Sequence, residues 1–334
     1  MSLEVNLQVR LAKRPDGLPD DDCWSIVEHF VPEVGNGQFV VRNEFISIDP
    51  AMRGWVSAGD SYIAPVAIGE VMRARAVGEI VGSRHAAFPV GTKVMGFFGV
   101  QNFGLSNGQA VTRIDEALAP MPQHLAALGS PGMTAYFGLL HVGACQAGET
   151  VVVSAASGAV GQIVAQIARL KGCTVIGIAG GSDKCRFVVE QLGAQACIDY
   201  KSVNVASDLR SLCPQGIDVF FDNVGGDILD AALANLAQHA RVVICGAISQ
   251  YNNLDSVKGP KNYLSLISKR ASMRGMLVTD FADRNAIAVS ELAGWLRDGL
   301  VRSTLDVEAG LTRFPSALRK LFAGANFGKL VIEV

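Results

Sequence analysis

The sequence predicts an α/β protein built from a strand-rich part and a doubly wound parallel sheet. At 334 residues the chain is long for one hydrophobic core, which favours two domains. Roughly the first 125 residues carry short β-branched runs separated by Gly, Pro, Asn and Asp, a pattern typical of strands. From about residue 126, strand-like and helix-like runs alternate, which predicts βαβ units with right-handed crossovers.

In the first part, strand-like runs are clearest at 38–42 and 78–82, and helical periodicity is hard to find, so we expect an all-β unit. After residue 126, the strand-like runs are 151–153, 174–178, 196–198, 217–221 and 241–245. The helix-like runs are 159–170, 182–192, 205–212, 228–237 and 286–300. We expect a β-looking tail, ending in 330–334, to rejoin the first part. The predicted domains are therefore 1–125 with 301–334, and 126–300.

The composition is that of a soluble, well-buried enzyme, with 49% hydrophobic and 18% charged residues. The net charge of −2, without clustered Lys and Arg, predicts neither a nucleic-acid nor a membrane partner. Seven cysteines without a C-x-x-C pair indicate reduced thiols in the cytoplasm. We expect neither a signal peptide nor a transmembrane helix, since the N-terminus lacks a long apolar core and no stretch approaches ~18 apolar residues.

The turn between the runs 151–153 and 159–170 carries the pattern A-x-G-x-x-G, formed by Ala156, Gly158 and Gly161. The central glycine lets the backbone approach a pyrophosphate, and the third lets helix and strand pack closely. The helix N-terminus offers N–H groups and a positive dipole end to phosphates. Alanine in the first position is tolerable where the turn does not need positive φ. The alternative is a glycine-bearing turn without a ligand, but the βαβ context favours a dinucleotide.

The residues at the end of the second strand of this part indicate whether the site binds NAD or NADP. An NAD site usually carries an acidic residue there, which binds the ribose hydroxyls, whereas this chain has Gly180-Gly181. Small residues leave room for a 2′-phosphate and Lys184 supplies charge, so the sequence predicts NADP. We expect Asp183 in the first helical turn, pointing away from the nucleotide. The alternative for Lys184 is a solvated surface lysine.

Six stretches spread over nearly the whole chain occur in the order and at the spacing of one enzyme group. They are 47–54 (SIDPAMRG), 61–66 (SYIAPV), 132–136 (GMTAY), 221–226 (FDNVGG), 245–252 (CGAISQYN) and 326–329 (NFGK). On these stretches the chain resembles the zinc-independent medium-chain dehydrogenases/reductases. The resemblance is to the group of prostaglandin reductase (leukotriene B4 dehydrogenase), plant double-bond reductases and bacterial curcumin-reductase-like enzymes.

The resemblance implies a GroES-like β domain for the substrate, a Rossmann domain, a homodimer, and NADPH-dependent reduction of the C=C bond of α,β-unsaturated ketones and aldehydes. It implies that the segment from Gly158 to Gly161 faces the pyrophosphate, and that Lys184 with Tyr200 faces the adenosine phosphate and ribose. It places Asn223 and the loop 245–251 along the nicotinamide, with Thr134 and Asn326 closing over the cofactor. The cofactor-binding residues implied in full are Thr134, Gly158, Ala159, Val160, Gly161, Lys184, Tyr200, Asn223, Cys245, Gly246, Ala247, Ile248, Tyr251 and Asn326.

Zinc-bearing relatives of this group need a first Cys ligand, a Gly-His-Glu motif and a distal Cys. At the Gly-His-Glu position the chain reads Arg73-Ala74-Arg75, and the first ligand region, 47–50, contains no cysteine. We therefore expect no metal. Without a Lewis acid, oxidation of an alcohol or reduction of a simple ketone is disfavoured.

A conjugated enone suits a metal-free site, because hydride addition to the β-carbon leaves an enolate that needs only a hydrogen-bond donor and then a proton. The candidate donors are the hydroxyls of Tyr62 and Tyr251 and that of the cofactor ribose. Either tyrosine could instead line an apolar pocket. The alternatives for function are an NADPH quinone reductase on the same scaffold and a non-catalytic NADPH-binding protein. The sequence does not identify the physiological substrate.

Overall fold

The computed structural model describes residues 5–59, 63–253, 256–257 and 259–334. The chain divides into two compact units. The first contains residues 1–125, 305–326 and 330–334, and the second contains 126–304 and 327–329.

The elements are numbered in chain order. The strands are β1 Val5–Leu11, β2 Trp24–Phe30, β3 Phe39–Ser47, β4 Arg75–Ser83, β5 Lys93–Phe97, β6 Phe103–Ser106, β7 Thr112–Arg113, β8 Thr150–Ser154, β9 Thr174–Ala179, β10 Ala196–Asp199, β11 Ile217–Asp222, β12 Leu236–Ile244, β13 Ser272–Gly275, β14 Leu305–Ala309 and β15 Lys329–Glu333. The helices are α1 Met52–Trp55, α2 Ser130–Phe137, α3 Gly161–Leu170, α4 Ser182–Glu190, α5 Val205–Leu212, α6 Gly226–Leu233, α7 Ser265–Lys269, α8 Asn285–Arg297 and α9 Phe314–Phe322.

The first unit is built mainly of strands. Seven of them form a sheet in the order β14-β15-β3-β4-β5-β7, with β6 also paired to β3, and β1 pairs with β2 as a separate hairpin. The pairs of β3 with β4, β6 and β15 are antiparallel. Val77 of β4 and Val331 of β15 pack with Met121 and Leu125, so the last strand of the chain contributes to the core of this unit.

The second unit contains a six-stranded sheet in the order β10-β9-β8-β11-β12-β13, and the pairs are parallel. This is the order of a doubly wound dinucleotide-binding sheet, so the predicted fold class is confirmed for this unit. The central strands β9, β8 and β11 are buried on both faces, and Val152, Ile176 and Phe220 lie in the core of the unit. The carboxyl ends of β8 and β11 meet where the strand order reverses, which is where such sheets bind ligands.

Three expectations for individual elements are wrong. The helix expected over 228–237 ends at Leu233, and Leu236 already lies in β12. The tail expected to be β-like also contains the helix α9, although its buried residues Phe314, Ala317, Leu318 and Leu321 follow the helical spacing i, i+3, i+4, i+7. The sixth strand, β13, was not expected, because its four residues are all exposed and lack a β-branched run.

No helix of the described residues combines the length and apolar character needed to cross a membrane. All seven cysteines lie in the described part, and each is a free thiol.

Candidate functional site

The turn after β8 has the geometry that a phosphate-binding loop requires. Ala156 adopts an ordinary backbone conformation, and the left-handed residue is the preceding Ala155, with φ 48°. A Cβ on Gly161 would lie 2.2 Å from the Ala155 carbonyl oxygen, so only glycine allows α3 to start this close to the strand. A Cβ on Gly158 would meet that same oxygen at 3.1 Å, with its other neighbours farther away. Gly158 therefore leaves the outer face of the turn open.

A segment from near the chain end covers this turn within the second unit. The Gly328 amide donates to the Ser157 carbonyl at 2.8 Å, and Gly158 and Gly328 form a parallel bridge. Gly328 has φ 62°, and a Cβ there would lie 2.0 Å from the Thr304 carbonyl oxygen. The Phe327 ring packs edge-on against Phe187, with centroids 5.9 Å apart. The Phe-Gly pair thus links the glycine turn to α4.

Lys184 lies half-buried on α4, with its ammonium 5.3 Å from the centroid of the Phe327 ring. This contact orders the side chain and differs from that of a freely solvated surface lysine. Asp183 lies in the first turn of α4, exposed and paired with Arg186 at 3.0 Å, as expected. Asp183, which is adjacent to Lys184 in the sequence, is thus held on the helix surface by this ion pair.

The tip of β9 is formed by Gly180 and two neighbouring side chains. A Cβ on Gly180 would lie 2.8 Å from Cε1 and 2.9 Å from the hydroxyl of Tyr200, and 3.0 Å from Cε of Lys201. Asp199 accepts from the amides of Gly181 at 2.8 Å and Lys201 at 3.0 Å, and these bonds lower the pKa of its carboxyl. We did not predict Lys201 as a site residue, because only the turn after β10 brings it close to Gly180.

The ends of β8 and β11 are joined by a buried network around Asp222. Its carboxylate accepts from Ser154 Oγ at 2.8 Å and from the amides of Val224 and Gly225 at 3.0 Å. Burial raises the pKa of Asp222, and these hydrogen bonds oppose that shift. Asn223 donates from Nδ2 to the Ser154 carbonyl at 2.8 Å, which fixes this side chain at the switch point. We did not predict Ser154 and Asp222 as site residues from the sequence. The acidic residue at the end of the apolar strand β11 could have indicated Asp222.

The loop 245–251 packs on the turn that carries Asn223. The Ile248 amide donates to the Asn223 carbonyl at 3.3 Å, and Ser249 Oγ donates to the Val224 carbonyl at 2.6 Å. The Tyr251 hydroxyl accepts from the Ala247 amide at 3.1 Å. Cys245, Gly246, Ala247 and Ile248 are all half-buried.

Burial raises the pKa of the Cys245 thiol to about 12. The thiol is therefore neutral near pH 7 and is unsuited to act as a nucleophile.

The predicted residues Gly158, Ala159, Val160, Gly161, Lys184, Tyr200, Asn223 and the loop 245–251 all follow the carboxyl ends of parallel strands. Thr134 is half-buried on α2, which packs against α3. Asn326 is 7% exposed and belongs to the first unit, directly before the Phe327-Gly328 pair. Tyr62 lies outside the described residues.

In the first unit, the two regions that supply zinc ligands in the zinc-bearing relatives do not form a metal centre. Ser47 Oγ donates to the Asp49 carboxylate, and the positive charge of Arg75 lies within electrostatic reach of that carboxylate. Ala74 between the two arginines is fully buried. A guanidinium repels a cation, so this donor set does not fit zinc. Within the ranges 5–59, 63–253, 256–257 and 259–334, no group of three or more His, Cys, Asp or Glu could hold a metal ion.

Two family models match the chain, one described as the N-terminal domain of oxidoreductase over residues 7–114 and one as zinc-binding dehydrogenase over residues 159–293. The chain is 37% identical over 329 residues to the NADPH-dependent curcumin reductase of Escherichia coli (strain K12), covering 97% of this chain and 95% of that protein. It is 36% identical over 342 residues to the NADP(+)-dependent 2-alkenal reductase of Nicotiana tabacum, covering 100% and 99%.

A solved structure also matches over nearly the full length. The structure of CurA in complex with NADPH from Vibrio vulnificus superimposes with a TM-score of 0.93 and 38% identity, covering 98% of this chain and 99% of that one. At this identity and coverage the similarity extends to both units.

Proposed function

Because the chain belongs to the medium-chain dehydrogenase/reductase superfamily, in its curcumin-reductase-like group, we propose that it is an NADPH-dependent reductase of the C=C bond of α,β-unsaturated ketones and aldehydes. The observation that carries this proposal is the similarity, over 97% of the chain, to a reductase that uses NADPH. The glycine turn at the switch point of the parallel sheet supplies the matching geometry.

The residues of the second unit fit NADPH. The open face of Gly158 and the start of α3 would hold the pyrophosphate, and Lys184 with Tyr200 would hold the 2′-phosphate and ribose. Asn223, fixed by Ser154, and the loop 245–251 would lie along the nicotinamide half. Thr134, on α2 of the same unit, would complete this part of the site. When bound, NADPH supplies a hydride for the β-carbon of the enone.

The chain's own contribution to the chemistry is a hydrogen-bond donor for the enolate oxygen. The Tyr251 hydroxyl accepts from the Ala247 amide, and this bond holds its oxygen in place. A fixed donor aimed at developing negative charge stabilises it with little reorganisation. Tyr62 and the ribose hydroxyl are the other candidates for this role. Solvent supplies the proton to the α-carbon.

The product and the position of an isotopic label test this function. With NADPH carrying deuterium at the transferred position, a linear enone should yield the saturated ketone with deuterium on the β-carbon and a solvent hydrogen on the α-carbon. An allylic alcohol as the main product, or deuterium on the carbonyl carbon, would overturn the proposal. Faster NADPH oxidation with a quinone than with any enone would favour a quinone reductase instead.

We also propose that the enzyme works without a metal. The argument is the donor set around Asp49, where Arg75 supplies positive charge in the region that zinc occupies in the zinc-bearing relatives. Elemental analysis of the purified protein should find much less than one zinc per chain. One zinc per chain, with activity lost to a chelator, would contradict this.

The exposed edge of the second unit supports a homodimer. Within the part of the chain that the structure describes, the strand β13 pairs with β12 and with no other strand, and its four residues are all exposed. Leu264 and Ile267, on the segment that precedes β13 in the chain, are 58% and 74% exposed. An apolar surface next to an open strand edge favours pairing with a second copy. The free state of the seven cysteines supports our proposal that the enzyme is cytoplasmic.

A further inference from the structure

Four cysteines of the second unit form two thiol pairs, although the members of each pair are far apart in the sequence. Cys145, in the segment before β8, makes a thiol–thiol hydrogen bond with Cys173, in the segment before β9. Cys185 on α4 makes the same kind of bond with Cys197 on β10. The chain has no C-x-x-C spacing, so only the fold brings these thiols together.

The backbone holds the two segments of the first pair side by side, at the amino ends of β8 and β9. The Gly148 amide donates to the Gly172 carbonyl at 2.9 Å. In the next residue, Cys173 Sγ donates to the Gln146 carbonyl at 3.2 Å, so this sulfur lies against the backbone that directly follows Cys145. Disulfide formation requires such closeness, because the Cβ atoms of the two cysteines must come within about 4 Å of each other.

The charges around the first pair favour ionisation of one thiol only. The hydrogen bond from Cys173, with the positive charges of Arg241 and Lys171, lowers the pKa of the Cys145 thiol against the effect of burial. Arg241 is held there by Glu149, to which its Nη1 donates at 2.8 Å, and the charge of Glu149 opposes the shift. The same thiol–thiol bond and burial raise the pKa of Cys173. One thiol is thus disposed to attack and the other to resolve.

The second pair has the opposite combination of exposure and charge. Its thiols lie between α4 and the sheet, where a Cβ on Gly177 would meet Cys197 Sγ at 3.2 Å. Burial raises the pKa of both Cys185 and Cys197, and the charge of Asp199 adds to the shift in each. Both residues are nevertheless more exposed than Cys145 and its partner, which are each 9% exposed. The order in which the two pairs oxidise therefore separates thiolate character from access.

We propose that Cys145 and Cys173 are a modification site, at which hydrogen peroxide forms a reversible disulfide that stabilises the second unit. The Cys145 thiolate attacks one peroxide oxygen, the O–O bond breaks and hydroxide leaves, which gives a sulfenic acid. The Cys173 sulfur then attacks the sulfenic sulfur, and its proton leaves with the sulfenic hydroxyl as water. Peroxide gains the two electrons that the two thiols lose. A dithiol reverses the step by exchange.

The disulfide has a structural consequence because of the segment that it encloses. The loop 145–173 contains β8, the glycine turn and α3. Closing this loop restricts the unfolded chain more than the folded one, in which the two ends are already side by side. The oxidised protein should therefore have a Tm about 5 °C higher than the reduced protein.

The test treats the full chain with hydrogen peroxide for increasing times, blocks the remaining thiols by alkylation, and maps disulfides by mass spectrometry of unreduced peptides. The bond between Cys145 and Cys173 should form about tenfold faster than that between Cys185 and Cys197, and dithiothreitol should remove it. Thermal unfolding of the oxidised and reduced protein measures the change in Tm. No rise in Tm on oxidation would contradict the stabilising role.

Single variants assign the two roles. In Cys173→Ser, peroxide should leave a sulfenic acid on Cys145 that dimedone captures, whereas Cys145→Ser should leave Cys173 unmodified at the same dose. Cys185→Ser is the matched control, because it breaks the other thiol pair and should leave the rate at the first pair unchanged. The proposal is overturned if Cys185 and Cys197 are linked first in the unmodified protein, if no bond forms between Cys145 and Cys173, or if dimedone labels the two single variants equally.

Discussion

At the scale of single residues, we expect the choice of nucleotide to depend on Lys184. Its ammonium lies over the Phe327 ring, and the strand tip Gly180-Gly181 itself carries no acidic side chain. Lys184→Ala should weaken NADPH binding by ~1–3 kcal/mol, the range for a charge-assisted hydrogen bond, and leave NADH binding almost unchanged. Titration of each nucleotide by fluorescence measures this.

Lys171→Ala is the control for Lys184, because Lys171 also lies over an aromatic ring, 5.5 Å from that of Trp295. It should change neither affinity. If the unmodified protein binds NADH as tightly as NADPH, the assignment of Lys184 is wrong.

The Tyr251 hydroxyl has a structural contact in addition to its proposed catalytic one, since it accepts from the Ala247 amide. Tyr251→Phe should lower kcat by ~10²-fold if the hydroxyl stabilises the enolate. If it only holds the loop, KM for NADPH should rise while kcat falls little. Tyr263→Phe, at a tyrosine that is 55% exposed, is the control for loss of a hydroxyl. It should change neither kcat nor the KM for NADPH. A small fall in kcat would assign the role to Tyr62 or the ribose.

At the scale of the elements, we expect Gly161 and Gly158 of the β8–α3 turn to have different roles, one in stability and one in nucleotide binding. A Cβ on Gly161 would overlap the backbone of Ala155 and Ala156, so Gly161→Ala should lower the free energy of unfolding by ~1–3 kcal/mol. A Cβ on Gly158 meets only the Ala155 oxygen closely, so Gly158→Ala should fold normally. It should weaken NADPH by about tenfold, or about 1.4 kcal/mol, by blocking the pyrophosphate.

Thermal unfolding and NADPH titration of the two variants check this pair. Each variant serves as the control for the other. Equal loss of stability in both would mean that Gly158 is needed only for the turn itself.

The elements of the second unit were largely predictable, because buried parallel strands are continuous apolar runs. The predicted strand 151–153 lies within β8. The predicted helix 205–212 coincides with α5. The end of α6 was misplaced, because Ala234-Asn235 gives no strong stop signal before β12. The strand β13 is stabilised by pairing with β12, and that partnership has no local signature.

For the candidate site, the residues next to glycine turns could be proposed from their motifs, but the contacts that distant segments make with these turns could not be predicted. Gly328 lies on the glycine turn, 170 positions from Gly158, and only the folded chain brings them together. The left-handed backbone conformation of Ala155 could not be predicted from the sequence either, since alanine rarely adopts it.

At the scale of the whole molecule, the open edge of β13 predicts the oligomeric state. Ile267→Glu places a charge on the apolar surface beside that edge, and it should convert a dimer into a monomer. Light scattering after size-exclusion chromatography measures the mass. Phe30→Glu is the matched control, since Phe30 is also 74% exposed but lies on the β1–β2 hairpin. A monomeric unmodified protein would contradict the homodimer.

The strand β15 sits between β14 and β3, inside the seven-stranded sheet, although it is formed by the last residues described. During synthesis, β3 leaves the ribosome almost three hundred residues before β15. It can pair with β4 and β6 first, but its residues 45–47 keep the edge that β15 will join unpaired. The second unit is encoded almost entirely between these strands and can fold in the meantime. The first unit to be translated is therefore the last to be completed, and a nascent chain stalled before residue 329 carries an open β-edge for chaperones to shield.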